Sequence, residues 1–176
     1  MDLRFILDPE LTPALREQLV DLWVAVTNAG GAVGFVAPVS AAEVRPVAER
    51  TFTDVTDGPD RLLVGYAGDR PVAVLVLADN RFRLKSHWGT LKRVMVHPNT
   101  QGRGYGRDLM REAARRAPDL GWSALHVTVR GGQGLEAFYR RLGYREVGRL
   151  PAALRIGPGD DRDEVFLWLD LADAGA

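Results

Sequence analysis

The chain has no cysteine, which excludes a disulfide framework, a thiolate nucleophile and a zinc-thiolate site together. Its three histidines, His87, His97 and His126, are scattered and spell no recognisable metal motif. No apolar run approaches the roughly 20 residues that cross a bilayer, and the start Met1-Asp2-Leu3-Arg4 lacks a secretory pattern. A cytoplasmic protein without metal or membrane partner is therefore expected. Gly-Lys followed by Ser or Thr occurs nowhere, so a phosphate loop of the nucleoside triphosphatase type is excluded. Internal repeats and low-complexity segments are absent too.

What is present suits one globular domain over residues 1–176, with 46% hydrophobic residues to fill a core. Net charge is zero, from 23 basic and 23 acidic side chains, but the distribution is uneven. Six basic and twelve acidic residues fall in 1–80, ten and two in 81–116, and seven and nine in 117–176. The basic middle segment suits a polyanionic ligand. Nucleic acid is a disfavoured partner, because no recognition motif accompanies that charge.

The middle segment contains Gln101-Gly102-Arg103-Gly104-Tyr105-Gly106, placed between the hydrophobic run Leu91 to Val96 and a helix expected to begin near Arg107. Glycines there allow positive φ and close approach of main-chain N–H groups to a ligand, and the first helical turn adds unpaired donors and partial positive charge. Arg103 and Arg107 add full charges. Arg111 and Arg115 continue the four-residue spacing and are expected to form a solvated helix face. A dinucleotide fingerprint fails on spacing, because the sixth position counted from Gly102 is Arg107 rather than glycine.

Elsewhere, Thr12 as N-cap with Pro13 after it predicts a helix whose apolar face is Leu15, Leu19, Leu22, Trp23 and Val26, ended by Gly30-Gly31. Ser40 with Glu43 is a capping box for a second helix carrying Val44, Val47, Ala48 and Phe52. Leu62–Ala67 and Pro71–Ala78 flank Gly68-Asp69 as a hairpin, and Trp88–Val96 continues the meander after a polar connection. Ala124–Val129 follows a crossover helix and can lie parallel to the previous strand. Leu135–Leu142 reads as a short helix closed by Gly143, then Arg145–Leu150 and Val165–Leu171 as strands, with Arg155–Glu164 a polar loop between them.

Leu91 to Pro98, the glycine hexapeptide and Phe138-Tyr139-Arg140-Arg141-Leu142-Gly143-Tyr144, in this order, resemble the GNAT superfamily of N-acetyltransferases. Gln101, Gly104 and Gly106 fit its acyl-CoA signature, and the resemblance covers about Leu62 to Leu171. It implies an α/β fold: a largely antiparallel mixed sheet with a splayed parallel central strand pair, flanked by helices. It implies acetyl-CoA as cosubstrate, with the backbone of Met95 and Val96 contacting pantetheine and thioester. Gln101, Gly102, Arg103, Gly104, Tyr105, Gly106 and Arg107 would hold the pyrophosphate. The segment Gly30–Val39 would border the acceptor. A homodimer, common among relatives, is one expected assembly.

The implied reaction is transfer of an acetyl group to a primary amine of a small molecule or peptide by direct attack in a ternary complex. Tyr139 would give a proton to the leaving thiolate. Two positions depart from the family pattern. The Glu that frequently activates the amine is replaced by Thr90, which is no base at neutral pH; His87 stands nearby with a suitable ordinary pKa. The Asn often found after the next strand is replaced around Gly131-Gly132-Gln133-Gly134, where Gln133 is the substitute for its contact. These departures keep an alternative open, a non-catalytic acyl-CoA binding regulatory module. The acidic first segment and the Arg155–Glu164 loop suggest a cationic amine acceptor.

Overall fold

A helix start that satisfies its own first amides fixes where the chain turns inward, and two such starts organise the N-terminal half. In the computed structural model, which describes residues 3–172, the Thr12 hydroxyl oxygen accepts the Leu15 N–H at 3.2 Å and opens α1, Pro13–Asn28. The Glu43 carboxylate accepts the Ser40 N–H at 2.9 Å at the start of α2, Ala41–Thr56. The remaining elements are β1 Arg4–Leu7, β2 Arg61–Ala67, β3 Arg70–Ala78, β4 Trp88–Val96, α3 Tyr105–Arg116, β5 Ala124–Arg130, α4 Leu135–Arg140, β6 Arg145–Gly157 and β7 Asp160–Asp170. Hydrogen-bonded neighbours run β1-β2-β3-β4-β5-β7-β6, a seven-stranded mixed sheet.

The chain divides into two compact units. One comprises the described residues up to Asp79 together with Leu91–Ala113; the other comprises Asn80–Thr90 and the described residues from Ala114 on. Both β4 and α3 therefore contribute residues to each. In the first unit β1 pairs antiparallel with β2 and β2 with β3, with a bulge at Gly65/Tyr66. The predicted apolar faces of α1 and α2 are buried: Leu15, Leu19, Trp23, Val44 and Phe52 pack in one cluster with Val64, Val76 and Met95. Each such aliphatic side chain contributes about 1.5–3 kcal/mol relative to exposure.

In the second unit β4 pairs with β5 in parallel over three residues only, Trp88↔Ala124, Gly89↔Leu125 and Thr90↔His126. Strand β5 pairs antiparallel with β7 along its whole length, and β7 with β6. Alternation puts Leu125, Val127 and Val129 of β5 in the core with Val165, Leu167 and Leu169 of β7. His126, Thr128, Phe166 and Trp168 take the opposite parity and are only part-buried or exposed.

Three differences from the sequence reading stand out. Strand β1 was not foreseen, because its partner β2 lies some sixty residues away in the chain and its four residues carry no pattern of their own. The glycine-loop helix begins at Tyr105 rather than near Arg107, so Gly106 and Arg107 belong to its first turn. The expected polar loop Arg155–Glu164 is mostly strand. Leu154↔Arg162, Arg155↔Asp161 and Gly157↔Asp160 are paired across β6 and β7, leaving Pro158-Gly159 as the turn, with Gly159 at φ +75°. Oppositely charged cross-strand neighbours and one glycine in the left-handed region make a hairpin from a sequence that reads as loop.

Candidate functional site

The glycine segment is built around two left-handed residues, Gly102 at φ +77° and Gly104 at φ +86°. Around Gly102 a Cβ would meet nothing within 4 Å, so glycine is required there by backbone conformation alone. At Gly104 a Cβ would stand 3.2 Å from Arg107 Nη2, so conformation and space act together. The Asp108 N–H donates to the Gly104 carbonyl at 3.0 Å, which makes Gly104 the cap of the first turn. Arg103 and Arg107 are exposed beside this turn; Arg107 Nε donates to the Asp108 carboxylate at 3.1 Å, a contact an incoming anion can replace. The Gln101 side chain is turned back, donating to the Val96 carbonyl at 3.2 Å, and so ties the loop to the end of β4. Met95 is buried in the core cluster and Val96 is part-buried, so what they can offer a ligand is main chain. Tyr105 is buried.

Within the same unit, β4 carries at Arg93 a non-glycine residue at φ +53°. Its guanidinium lies over the Trp23 ring, 4.9 Å from the centroid, and donates to the Val33 carbonyl at 3.1 Å. The same carbonyl accepts the Trp23 indole N–H at 3.0 Å. The Gly30–Val39 segment, expected to border the acceptor, is thus anchored by its main chain. Gly34, at φ +100°, admits no Cβ, which would fall within 3.0 Å of Arg93 Nη1. Burial lowers the pKa of this arginine, and no carboxylate among the described residues pairs with it. A separate hollow of about 490 Å³, lined by Gln18, Asp21, Leu22, Ala67, Asp69, Arg70, Pro71 and His97, contains none of the predicted site residues.

In the second unit Tyr139 is buried on α4, with its ring edge-on to Phe138 at 5.1 Å and to Tyr144 at 5.4 Å. Burial pushes its hydroxyl well above the ordinary phenol range, so it keeps its proton. Thr90 closes the parallel ladder and donates its hydroxyl to Asn80 Oδ1 at 3.3 Å. His87 is exposed just before β4, and its carbonyl accepts the Ser123 N–H at 2.8 Å. His126, which sequence reading did not single out, is registered directly opposite Thr90. The signal for it was available: it occupies the outward parity of an alternating strand.

Three acidic residues of the β6–β7 hairpin are ion-paired. Asp161 pairs with Arg155 at 2.8 Å, Asp163 with Arg149 at 3.0 Å, and Asp160 with Arg162.

A family model, Acetyltransferase (GNAT) family, matches residues 34–144. Solved structures share the fold along nearly the whole chain. A candidate phosphinothricin N-acetyltransferase superposes with TM-score 0.80 at 18% identity, covering 96% of this chain and 99% of its own. A ribosomal-protein-alanine N-acetyltransferase from Brucella melitensis does so with TM-score 0.73 at 20% identity, covering 94% and 99%. A candidate acetyltransferase from Salmonella typhimurium, yncA, solved with its cofactor acetyl-CoA, gives TM-score 0.74 at 17% identity, covering 97% and 95%. With its family model spanning more than half its length, the chain belongs to the GNAT family of acetyltransferases.

Proposed function

We propose that this protein is a cytoplasmic N-acetyltransferase that moves an acetyl group from acetyl-CoA to a primary amine by direct attack in a ternary complex, and that the whole chain works as one such domain. The observation that carries the reading is the left-handed Gly104 capping the first turn of α3 beside exposed Arg103 and Arg107, a cradle whose donors and charge suit a diphosphate. A Cβ at Gly104 would intrude on it. The backbone of Met95 and Val96 would bind the pantetheine amides, and Gln101 to Arg107 the pyrophosphate. The thioester supplies an activated acetyl carbon and a thiolate leaving group. Tyr139, held protonated by burial, is suited to deliver a proton to that sulfur.

Acetyl-CoA should bind with measurable heat in calorimetry, and thiol release should rise above the hydrolysis background with members of a panel of amino acids, arylalkylamines and peptide N-termini. A second reading, an acyl-CoA binding regulatory module without turnover, is favoured by one observation, the occupation of the usual carboxylate position by Thr90. Binding without amine-dependent thiol release would select it.

A further inference from the structure

We propose that His126 is the residue that takes the proton from the acceptor ammonium; the assignment rests on the acetyltransferase reading and names the base it lacks. An ammonium has no lone pair to attack with, so a base must act before or during the transfer. Thr90 is not one, and its hydroxyl is engaged with Asn80. Directly across the parallel ladder from Thr90 stands His126.

The surroundings of His126 are those of a base kept neutral. Its ring is part-buried, edge-on to Trp88 at 5.8 Å and stacked on Phe166 at 5.9 Å with 24° between planes. Nδ1 is buried and has no hydrogen-bond partner. A histidine kept for structure has its ring nitrogens bonded, because an unpaired buried nitrogen is costly; this one gains no such return. Burial holds its pKa below the ordinary histidine value, Lys85 pushes the same way, and Glu164 on β7 opposes them. The imidazole is accordingly uncharged at neutral pH and able to accept a proton.

Its place in the strand supplies the second argument. The parallel ladder covers Trp88–Thr90 and Ala124–His126, whereas Val127–Arg130 of β5 is registered with β7 alone. The other edge of that stretch offers main-chain N–H and C=O groups to an extended amide-bearing arm, and an arm lying along it stops where the ladder closes, at His126. Trp88, Phe166 and Trp168 wall this end with aromatic surface, Trp168 edge-on to Trp88 at 5.3 Å.

In the step proposed, one ammonium proton passes to the imidazole. The freed nitrogen pair forms the C–N bond to the acetyl carbon as the C–S bond breaks and its pair leaves on sulfur. The second proton lost by nitrogen balances the one that converts thiolate to thiol, and His126 returns its own to solvent.

The test uses the full chain, acetyl-CoA and whichever panel amine turns over. His126→Gln should lower kcat/KM about a hundredfold at pH 7, with the acetyl-CoA Kd unchanged. Its rate should climb with pH toward the pKa of the amine, whereas the unmodified protein levels off above the histidine midpoint. Imidazole in the buffer should restore part of the activity of His126→Ala. Independently of turnover, nitrogen NMR of the unmodified protein, with His87→Gln and His97→Gln used for assignment, should show the His126 ring neutral at pH 7. A folded His126→Gln protein within about threefold of the parent across the pH range overturns the proposal, and so does a His126 ring protonated at pH 7. If the unmodified protein releases no thiol with any amine, the acetyltransferase reading itself fails and takes this role with it.

Discussion

Arg93 and Trp23 donate to the same oxygen: the guanidinium at 3.1 Å and the indole N–H at 3.0 Å both end on the Val33 carbonyl, with the cation lying over the indole ring. A carbonyl has two lone pairs, so both bonds are made in full. Either single change, Arg93→Met or Trp23→Phe, leaves Val33 one donor and should cost about 1–2 kcal/mol. The double variant strands a buried acceptor and should lose more than the sum by about 1 kcal/mol. Thermal unfolding of the four proteins checks this, at roughly 2–4 °C per kcal/mol for a chain of this size. Strict additivity would dissociate the two residues.

Gly89 is packed face to face with Trp122: a Cβ there would fall within 3.0 Å of three ring atoms. Neither the β4 backbone nor the buried indole can yield, so Gly89→Ala should destabilise by about 1–3 kcal/mol. The strain falls one residue from Thr90, inside the parallel ladder. Calorimetric unfolding reads the loss, and a change within about 0.5 kcal/mol would mean that the ladder can relax.

Gly102 and Gly104 are both left-handed but should respond differently to alanine. Gly102→Ala meets open space and carries only conformational strain, of about 1 kcal/mol. Gly104→Ala adds contact with Arg107 at the cap, so its acetyl-CoA affinity should fall about tenfold further, equivalent to roughly 1.4 kcal/mol. Titration calorimetry with acetyl-CoA compares the two; equal losses would place the diphosphate elsewhere.

Tyr139→Phe should lower kcat about ten- to a hundredfold while leaving acetyl-CoA binding nearly unchanged, as expected for a group that acts only on the departing sulfur. A parallel loss of affinity would instead make the hydroxyl a binding contact.

Three buried tyrosines also predict how stability depends on pH. Burial raises the Tyr66, Tyr139 and Tyr144 pKa values above the ordinary phenol value; Arg4 partly offsets this at Tyr66, and Tyr144 is raised further by Tyr139. Above about pH 10 the unfolded chain loses these protons while the folded chain retains them, so stability must fall with rising pH, by about 1.4 kcal/mol per pH unit for each group. Tyr144→Phe should remove one group's share of that slope. At the acid end the signs reverse in cause but not in effect. His97 and His126 have lowered pKa values, so the unfolded state binds more protons below about pH 6.5 and stability falls as pH drops. Denaturant titrations across pH measure both limbs.

Much of this architecture was readable before any coordinates. The cap at Thr12, the box at Ser40 and Glu43, and β4 from Trp88 to Val96 all stand where local rules put them, because each is decided by neighbours within a few residues. What escaped is decided at a distance. Strand β1 exists through pairing of Arg4 with Tyr66 and Phe5 with Gly65. The extended hairpin exists because Arg155 and Asp161 become direct neighbours across two strands. The glycine segment and Tyr139 could be named from their motifs. His126 gained meaning only when register set it against Thr90, and Arg93 only when its guanidinium met Val33 across sixty residues of chain.

The double acceptance at Val33 has a further effect. An attachment made through a peptide oxygen does not depend on which side chain occupies that position, so residues on the outer rim of Gly30–Val39 are at liberty to change while the tether stays put. Evolution, or a mutagenesis library, can thus repaint this rim without dismantling the frame behind it.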